Sequence, residues 1–367
     1  MATQVTNYQC PSCTGPLHFA GASGQLECDY CGTKYDVAVI EKLYADKEQA
    51  AGAAGAEPRW DFSSAGGNWN AEEAAHLRSY SCPSCAAELI CDDTTAATAC
   101  PYCGNPSVVP GMFRGQLKPD YVIPFRLDKN AAVAALKKYY KGKKFLPKNF
   151  ADGTHIEEIK GVYVPFWLFD GETDAHMRFH GTTVNRYTYG DEEITETNHF
   201  RVTREGTIAF EKVPADGSSK MPDAHMDAIE PFDYGELKPF STAYLPGFLA
   251  DKYDVDAETS SRRANERIRA STESAFAGTA LGYNSLVPEY VDIRPKRGAV
   301  HYALLPVWLL STKWGGKDFL FAMNGQTGRL IGDLPVDKRR FLGWFAGIAF
   351  PLMVILGAIL LRGGWPG

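Results

Sequence analysis

Eight of the nine cysteines stand in four C-x-x-C pairs. In YQCPSCTGPLHFAGASGQLECDYCG, Cys10 and Cys13 lead to Cys28 and Cys31, with fourteen residues between Cys13 and Cys28. In YSCPSCAAELICDDTTAATACPYCG, Cys82 and Cys85 lead to Cys100 and Cys103, again across fourteen residues. The second set repeats the first at an offset of 72, which also superposes Tyr8 on Tyr80, Leu17 on Leu89, Tyr30 on Tyr102 and Gly32 on Gly104. Two C-x-x-C turns on neighbouring hairpins aim four sulfurs at one point, which is the tetrahedral shell that zinc accepts. Four thiolates leave no labile water position, so each site is expected to be structural, its metal holding the module together. The expectation is two Zn2+ sites, one from Cys10, Cys13, Cys28 and Cys31 and one from Cys82, Cys85, Cys100 and Cys103. Gly32 and Gly104 suit the positive φ of such turns. Cys91 has no cysteine counterpart in the first set and reads as a small buried apolar residue.

The elements that must carry these turns follow from the rest of the chain. Its 367 residues, 45% of them apolar, suffice for two or three packed domains. MATQVTNYQC lacks the apolar core of a secretory signal, so the cysteines are expected in a reducing cytoplasm and disulfides are disfavoured. The expected organisation is a first zinc ribbon over 1–40, a linker with an aromatic docking segment over 41–78 and a second ribbon over 79–110. An α+β region follows over 115–336, and a transmembrane helix over 341–361. In the linker, Trp60, Phe62 and Trp69 stand among small residues and are expected to dock on folded structure or to meet a partner. Asn70 and Glu73 have capping-box spacing for a short helix leading into the second ribbon.

In the α+β region, GVYVPFWLFDG around Trp167 is echoed by HYALLPVWLLS around Trp308, each after an expected helix that starts at Asp128 or near Asp256. Helix then aromatic strand, twice, suggests an internal duplication into two related lobes. AHMRFHGTTVNRYTY, NHFRVTREGTIAFEKV and the two strands around NGQTG read as hairpins, giving an antiparallel sheet faced by helices. The fold class is therefore multidomain: two small zinc ribbons, an α+β region and one C-terminal transmembrane helix.

Phe341 to Leu361 carries no charge over 21 residues, about 31 Å of helix and the thickness of a bilayer core. Lys338, Arg339 and Arg340 precede it and Arg362 alone follows, so the positive-inside rule predicts a single-pass cell-membrane protein with its N-terminal bulk in the cytoplasm.

Charge narrows the function classes. The net charge is -6, and Met1 to Pro110 holds five lysines or arginines against thirteen aspartates or glutamates. Each four-thiolate zinc adds about two further negative charges. An acidic pair of ribbons repels phosphate, so protein partners are favoured over nucleic acid. The run KKYYKGKKFLPK gathers Lys137, Lys138, Lys141, Lys143, Lys144 and Lys148 around aromatic residues; it reads as a solvated helix end, or as a contact for anionic headgroups or for nucleic acid. No phosphate-binding G-x-x-x-x-G-K-[ST] is present and no catalytic constellation stands out, so the chain is expected not to be an enzyme. An enzyme reading would need a polar pocket gathering His176, His180, Asp170 or Glu172.

The paired CPxC ribbons, RWDFSSAGGNW, MDAIEPFDYGELKPFSTAYLPGFLADKYDVDAE, YALLPVWLLSTKW and FAMNGQTGRLIGDLPVD together resemble a bacterial family of membrane-anchored TFIIB-type double zinc-ribbon proteins, over nearly the whole chain. Members of that family are sometimes labelled primosomal helicase-like, a label for which this chain has no motor motif. The family occurs with phage-shock protein A and with flotillin-like proteins of the SPFH class. The resemblance implies a non-enzymatic membrane-bound adaptor that places a flotillin-like partner during envelope stress, and it carries the eight ribbon cysteines over as metal ligands. The alternative is a membrane-tethered binder of nucleic acid or of the transcription machinery, suggested by ribbon type alone.

Overall fold

A computed structural model of the chain describes residues 10–11, 16–21, 23–41, 60–95, 97, 99–112, 117–151 and 154–362. Cys13 and most of the alanine-rich linker lie outside them. The chain divides into two units: Met1–Arg59, Gly171–Phe210 and Asn265–Gly298 form the first, and Trp60–Asp170, Glu211–Ala264 and Ala299–Gly367 form the second.

In the first unit, β1 (Leu17–Ala20), β2 (Gln25–Cys28) and β3 (Lys34–Tyr35) make a three-stranded antiparallel sheet, followed by a helix, α1, at 37–41. The same unit holds the far part of a long hairpin. Its strands are β9 (Lys160–Tyr189) and β10 (Glu192–Asp216), which turn at Gly190 with φ +64°. Along β9 Thr173, Ala175, Met177 and Phe179 are buried while the residues between them face outward. That alternation is the mark of a sheet covered on one side. The apolar row packs with Val202, Phe276, Ala280 and Ile293, and β13 (Ser285–Pro295) pairs antiparallel with β9 from Ser285↔Thr182 to Pro295↔Thr173.

The second unit is built on a mixed sheet. β4 (Trp60–Asp61), α2 (Ala71–Ala75), β5 (Leu77–Ser81), β6 (Glu88–Asp92), β7 (Val109–Met112) and β8 (Tyr121–Val122) open it. α3 (Lys129–Tyr140), α4 (Lys148–Ala151), the near part of β9, α5 (Asp223–Ile229), β11 (Lys238–Pro239), β12 (Leu249–Asp251) and the start of α6 (Ala257–Gly278) continue it. β14 (Gly298–Trp314), β15 (Lys317–Asn324), β16 (Leu330–Gly332) and α7 (Lys338–Arg362) close it. The strand order is β11-β8-β14-β9-β12-β6-β5-β7. Gly161 to Phe169 of β9 are all buried, as an unbroken apolar run should be when both faces of a sheet are covered. Val162, Val164, Phe166 and Leu168 enter one core layer, and Tyr163, Trp167 and Phe169 the other.

The two aromatic strands share one pattern of registers and hydrogen bonds. β9 and β14 lie side by side, antiparallel, with Trp167 opposite Tyr302 and Trp308 opposite Gly161. β12 runs parallel to β9 (Leu249↔Val162, Ala250↔Tyr163), and β8 runs parallel to β14 (Tyr121↔Ala303, Val122↔Leu304). Tyr121 and Leu249 stand equally far ahead of Asp128 and Asp256. These aspartates cap α3 and α6 by accepting from the N–H groups of Ala131 and Thr259, at 2.8 Å each. The indole of Trp167 donates to the Val255 carbonyl at 2.9 Å and that of Trp308 to the Leu127 carbonyl at 3.0 Å, in each case the residue just before a capping aspartate. Each half thus supplies its tryptophan to the other half. The sheet is therefore mixed rather than antiparallel, because the short strands β8 and β12 run parallel to β14 and β9 while β9 and β14 run antiparallel to each other.

The aromatic segment after the linker docks within this unit. Trp60 stands edge-on to Phe169 with ring centroids 4.9 Å apart, β4 pairs with β14, and Trp69 meets Phe240 at 5.7 Å. Phe62 stays partly exposed. Asn70 caps α2, accepting from the Glu73 N–H at 2.7 Å, whereas the Glu73 carboxylate turns to Lys118 at 2.7 Å. Arg263 of α6 bonds Asp216, Asp223 and Asp227 together. Burial raises the Asp216 carboxyl to about 6 against the pull of that guanidinium.

α7 is long and apolar enough to cross a membrane over Lys338–Gly357, and no part of that window is buried.

Candidate metal centres

Both cysteine sets are built from the same backbone device. In the second, the Cys82 N–H donates to the Ala87 carbonyl and the Ala86 N–H to the Cys82 carbonyl, each at 2.9 Å. The partner turn repeats this: the Cys100 N–H donates to the Asn105 carbonyl at 2.9 Å and the Gly104 N–H to the Cys100 carbonyl at 3.0 Å. In the first set, the Cys28 N–H donates to the Thr33 carbonyl and the Gly32 N–H to the Cys28 carbonyl, both at 3.0 Å. The turn closes with a residue at positive φ: Gly32 and Gly104 at +69°, Ala86 at +56°. At Ala86 a side chain accepts a conformation for which the turns at Gly32 and Gly104 use glycine.

The sulfurs of Cys82, Cys85, Cys100 and Cys103 all lie within 4.8 Å of one another, with Cys82–Cys103 and Cys85–Cys100 at 3.6 Å. Metal–sulfur bonds of about 2.3 Å in a tetrahedron put sulfurs about 3.8 Å apart, so this group could hold a metal ion. Burial raises the Cys85 and Cys100 thiols. Burial also opposes ionisation of Cys82, but N–H groups of Cys85 and Ser84 and the neighbouring thiols outweigh it and bring Cys82 down to about 7. Gathering four thiolates in so small a space requires a cation, whose binding releases protons. Four sulfurs on a tetrahedral ion leave no open position for a substrate.

In the first set Cys10, Cys28 and Cys31 are grouped in the same way, with Cys10–Cys31 at 3.6 Å. The expected fourth ligand, Cys13, lies outside the described residues. Cys91 is fully buried, donates its S–H to the Thr95 carbonyl at 2.9 Å, and has its thiol pushed up by burial to about 11.

The two sets differ in what surrounds them. β6 pairs with β5 on one edge and with β12 on the other (Ala250↔Ile90, Asp251↔Leu89), so the second set is part of the large sheet. Cys82 and Cys100 share one core layer with Leu89, Val162, Phe166 and Leu305. A boundary between a ribbon at 79–110 and a separate region from 115 does not exist in this sheet. Tyr102, inside the Cys100–Cys103 turn, is 8% exposed, whereas its counterpart Tyr30 is 78% exposed. Cys91 is 0% exposed, and its counterpart Phe19 is 61% exposed. One ribbon face is spent on the sheet, and the duplicate face is open.

Beneath the second set lies a group that no motif in the sequence marks. Asp251 of β12 is fully buried and accepts from the Ser218 hydroxyl at 2.6 Å. Burial raises its carboxyl to about 7, with Ser218 and Tyr102 favouring the ionised form. The folded chain therefore holds the Asp251 proton more tightly than the unfolded chain, so the contribution is full below about pH 4 and is lost as pH rises towards 7. Asp251→Asn keeps the acceptor for Ser218 and removes the titration. Relative to the parent chain, the variant is expected to gain on the order of 2 kcal/mol of stability between pH 5 and pH 8. Paired thermal melts at the two pH values measure this; an unchanged difference between the chains would refute it.

The residues of the enzyme reading are spread over separate pairs. His176 meets Glu205 at 3.5 Å, and His180 meets His199 at 2.9 Å and Glu289 at 3.4 Å. Asp170 meets Lys212 and His301, and Glu172 meets Lys296. An apolar cavity lined by Trp69, Ile90, Phe240, Tyr302 and Leu304, with Asp251 at its edge, contains none of them.

No protein-family model and no solved structure matches the chain. The uncharacterized protein YdjG of Bacillus subtilis (strain 168) is a curated relative, 34% identical over 361 residues that cover 98% of this chain and 99% of that one.

Proposed function

The chain belongs to the family of YdjG, and from that premise we propose that it is a non-enzymatic, membrane-anchored zinc-ribbon adaptor. Both cysteine groups hold Zn2+, the ion suited to a closed four-thiolate shell with no redox role. The second zinc is a structural part of the sheet. The first ribbon is the recruiting module, and α7 fixes the chain in the cell membrane with the bulk in the cytoplasm.

The observation that carries this reading is the unequal use of a duplicated surface. Tyr102 and Cys91 are buried, while Tyr30 and Phe19, at the equivalent positions, are open to solvent. Exposed aromatic side chains on a small rigid module suit a protein partner, since such residues dominate binding energy at interfaces. The acidic balance of the ribbon segment supports a protein over a nucleic acid. The family resemblance supplies the partner class: a flotillin-like SPFH protein, with phage-shock protein A as a further candidate, in envelope stress or membrane maintenance.

Capture of the tagged full chain from detergent-solubilised membranes tests this. The parent chain is expected to retain a flotillin-like protein, and Phe19→Ser with Tyr30→Ser is expected to lose at least nine-tenths of it while still binding two zinc ions. Equal retention by parent and variant would rule out the first ribbon as the recruiting face.

A further inference from the structure

α3 ends in a lysine-rich turn, and that turn sits on the first turns of α7. The Phe145 ring lies 5.5 Å from that of Phe341 and 6.5 Å from that of Trp344, and Lys144 Nζ stands 4.6 Å from the centre of the Trp344 ring. The Asp337 N–H donates to the Phe145 carbonyl at 2.8 Å, and Arg340 donates to the Leu146 carbonyl at 3.3 Å. Leu146 and Phe150 are buried in the core, so the turn is held from below as well as from the helix side. What remains outside is cationic: Lys141, Lys143, Lys144, Lys148, Lys338 and Arg339 are all exposed. Lys137 is paired with Glu157 at 3.2 Å; among the described residues no ion pair engages Lys141, Lys143, Lys144 or Lys148.

We infer that these six side chains form a basic collar that binds the anionic headgroups of the bilayer that α7 crosses. Trp344 and Phe341 fall at the depth where aromatic residues meet the membrane interface, just inside a run of cations that belongs in the headgroup layer. Because Phe145 and Lys144 are stacked on that level, the four loop lysines are presented to the same layer. Each lysine near an anionic surface strengthens binding about fivefold, and the effect fades beyond a Debye length. The collar fixes one face of the second unit to the membrane surface, which a single flexible anchor does not do.

This rests on the anchoring part of the proposed function and not on recruitment. The full chain is placed in nanodiscs of equal parts phosphatidylglycerol and phosphatidylcholine, and the lipids that stay bound on release are counted by native mass spectrometry. The parent chain is expected to retain phosphatidylglycerol preferentially. Lys141→Gln, Lys143→Gln, Lys144→Gln and Lys148→Gln together are expected to lower that preference at least tenfold, and arginine at the same four positions to restore it. Equal retention of the two lipids by the parent chain, or an unchanged preference in the glutamine variant, would overturn the collar. Resistance to carbonate extraction, measured on the same proteins, separates this failure from a failure of anchoring.

Discussion

Cys100→Ser is expected to unfold the second unit, whereas Cys28→Ser is expected to cost only the first ribbon. On the proposed zinc assignment, both changes remove one ligand of four and should reduce bound zinc from two ions to one. Their consequences diverge because of what each cysteine group is packed into. A structural zinc contributes about 10–16 kcal/mol to the fold that surrounds it, against a net domain stability of about 5–15 kcal/mol. In the second set that contribution belongs to Leu89, Cys91 and Tyr102 as they enter the main core, and to β6 as it pairs with β12. Without the ion, the raised thiols of Cys85 and Cys100 leave a partly buried cluster of sulfur at the turns beside β5 and β6. In the first set the dependent structure is a three-stranded sheet and α1. Thermal melts with zinc analysis check this: Cys28→Ser should keep the main transition and Cys100→Ser should lose it. Equal loss in both variants would show that the two sites carry the same load.

Removal of residues 338–367 is expected to move the chain from the carbonate-resistant membrane pellet to the supernatant. No residue of the window Lys338–Gly357 is buried, and Leu342, Phe345, Phe350 and Met353 are each more than three-fifths open. In water such a helix leaves a continuous apolar surface of a size that soluble monomers rarely show, and in a bilayer it is satisfied. Cutting at Lys338 rather than at Leu334 matters, because Leu334 packs on the α3 core cluster. The truncated chain gives up the contacts of Phe341 and Trp344 with Phe145, of Trp344 with Lys144, and of Arg340 with Asp337 and the Leu146 carbonyl. A truncated chain that stays in the resistant pellet would remove α7 from its role as the anchor.

Much of the local chemistry is legible in the order of the residues alone. The C-x-x-C spacing implies turns that aim sulfurs inward, and Asn70, Asp128 and Asp256 announce helix starts because a short acceptor side chain there meets orphan N–H groups. The echo of Trp167 in Trp308 implies two halves, but not that each indole bonds the carbonyl just before the other half's capping aspartate. What stays hidden is what depends on pairing across long sequence separations. Both ribbons have one local pattern, and nothing in CDYCG against CPYCG says that Tyr102 is buried while Tyr30 is open. The difference arises from β12, three residues long, which meets β6 and β9 from far along the chain. Asp251 is hidden for the same reason: within LADKYD it reads as a surface carboxylate, and only its strand's central place buries it. The parallel pairs of β8 and β12 are concealed likewise, since two- and three-residue strands carry no periodicity to detect.

The adaptor account is tested most directly by where a flotillin-like SPFH protein of the same cell resides. Fluorescence imaging of that protein is compared in cells making the full chain and in cells making the chain without residues 338–367. The account predicts discrete signal at the cell membrane with the full chain and signal dispersed through the cytoplasm with the truncated one. An unchanged membrane distribution in both would contradict it.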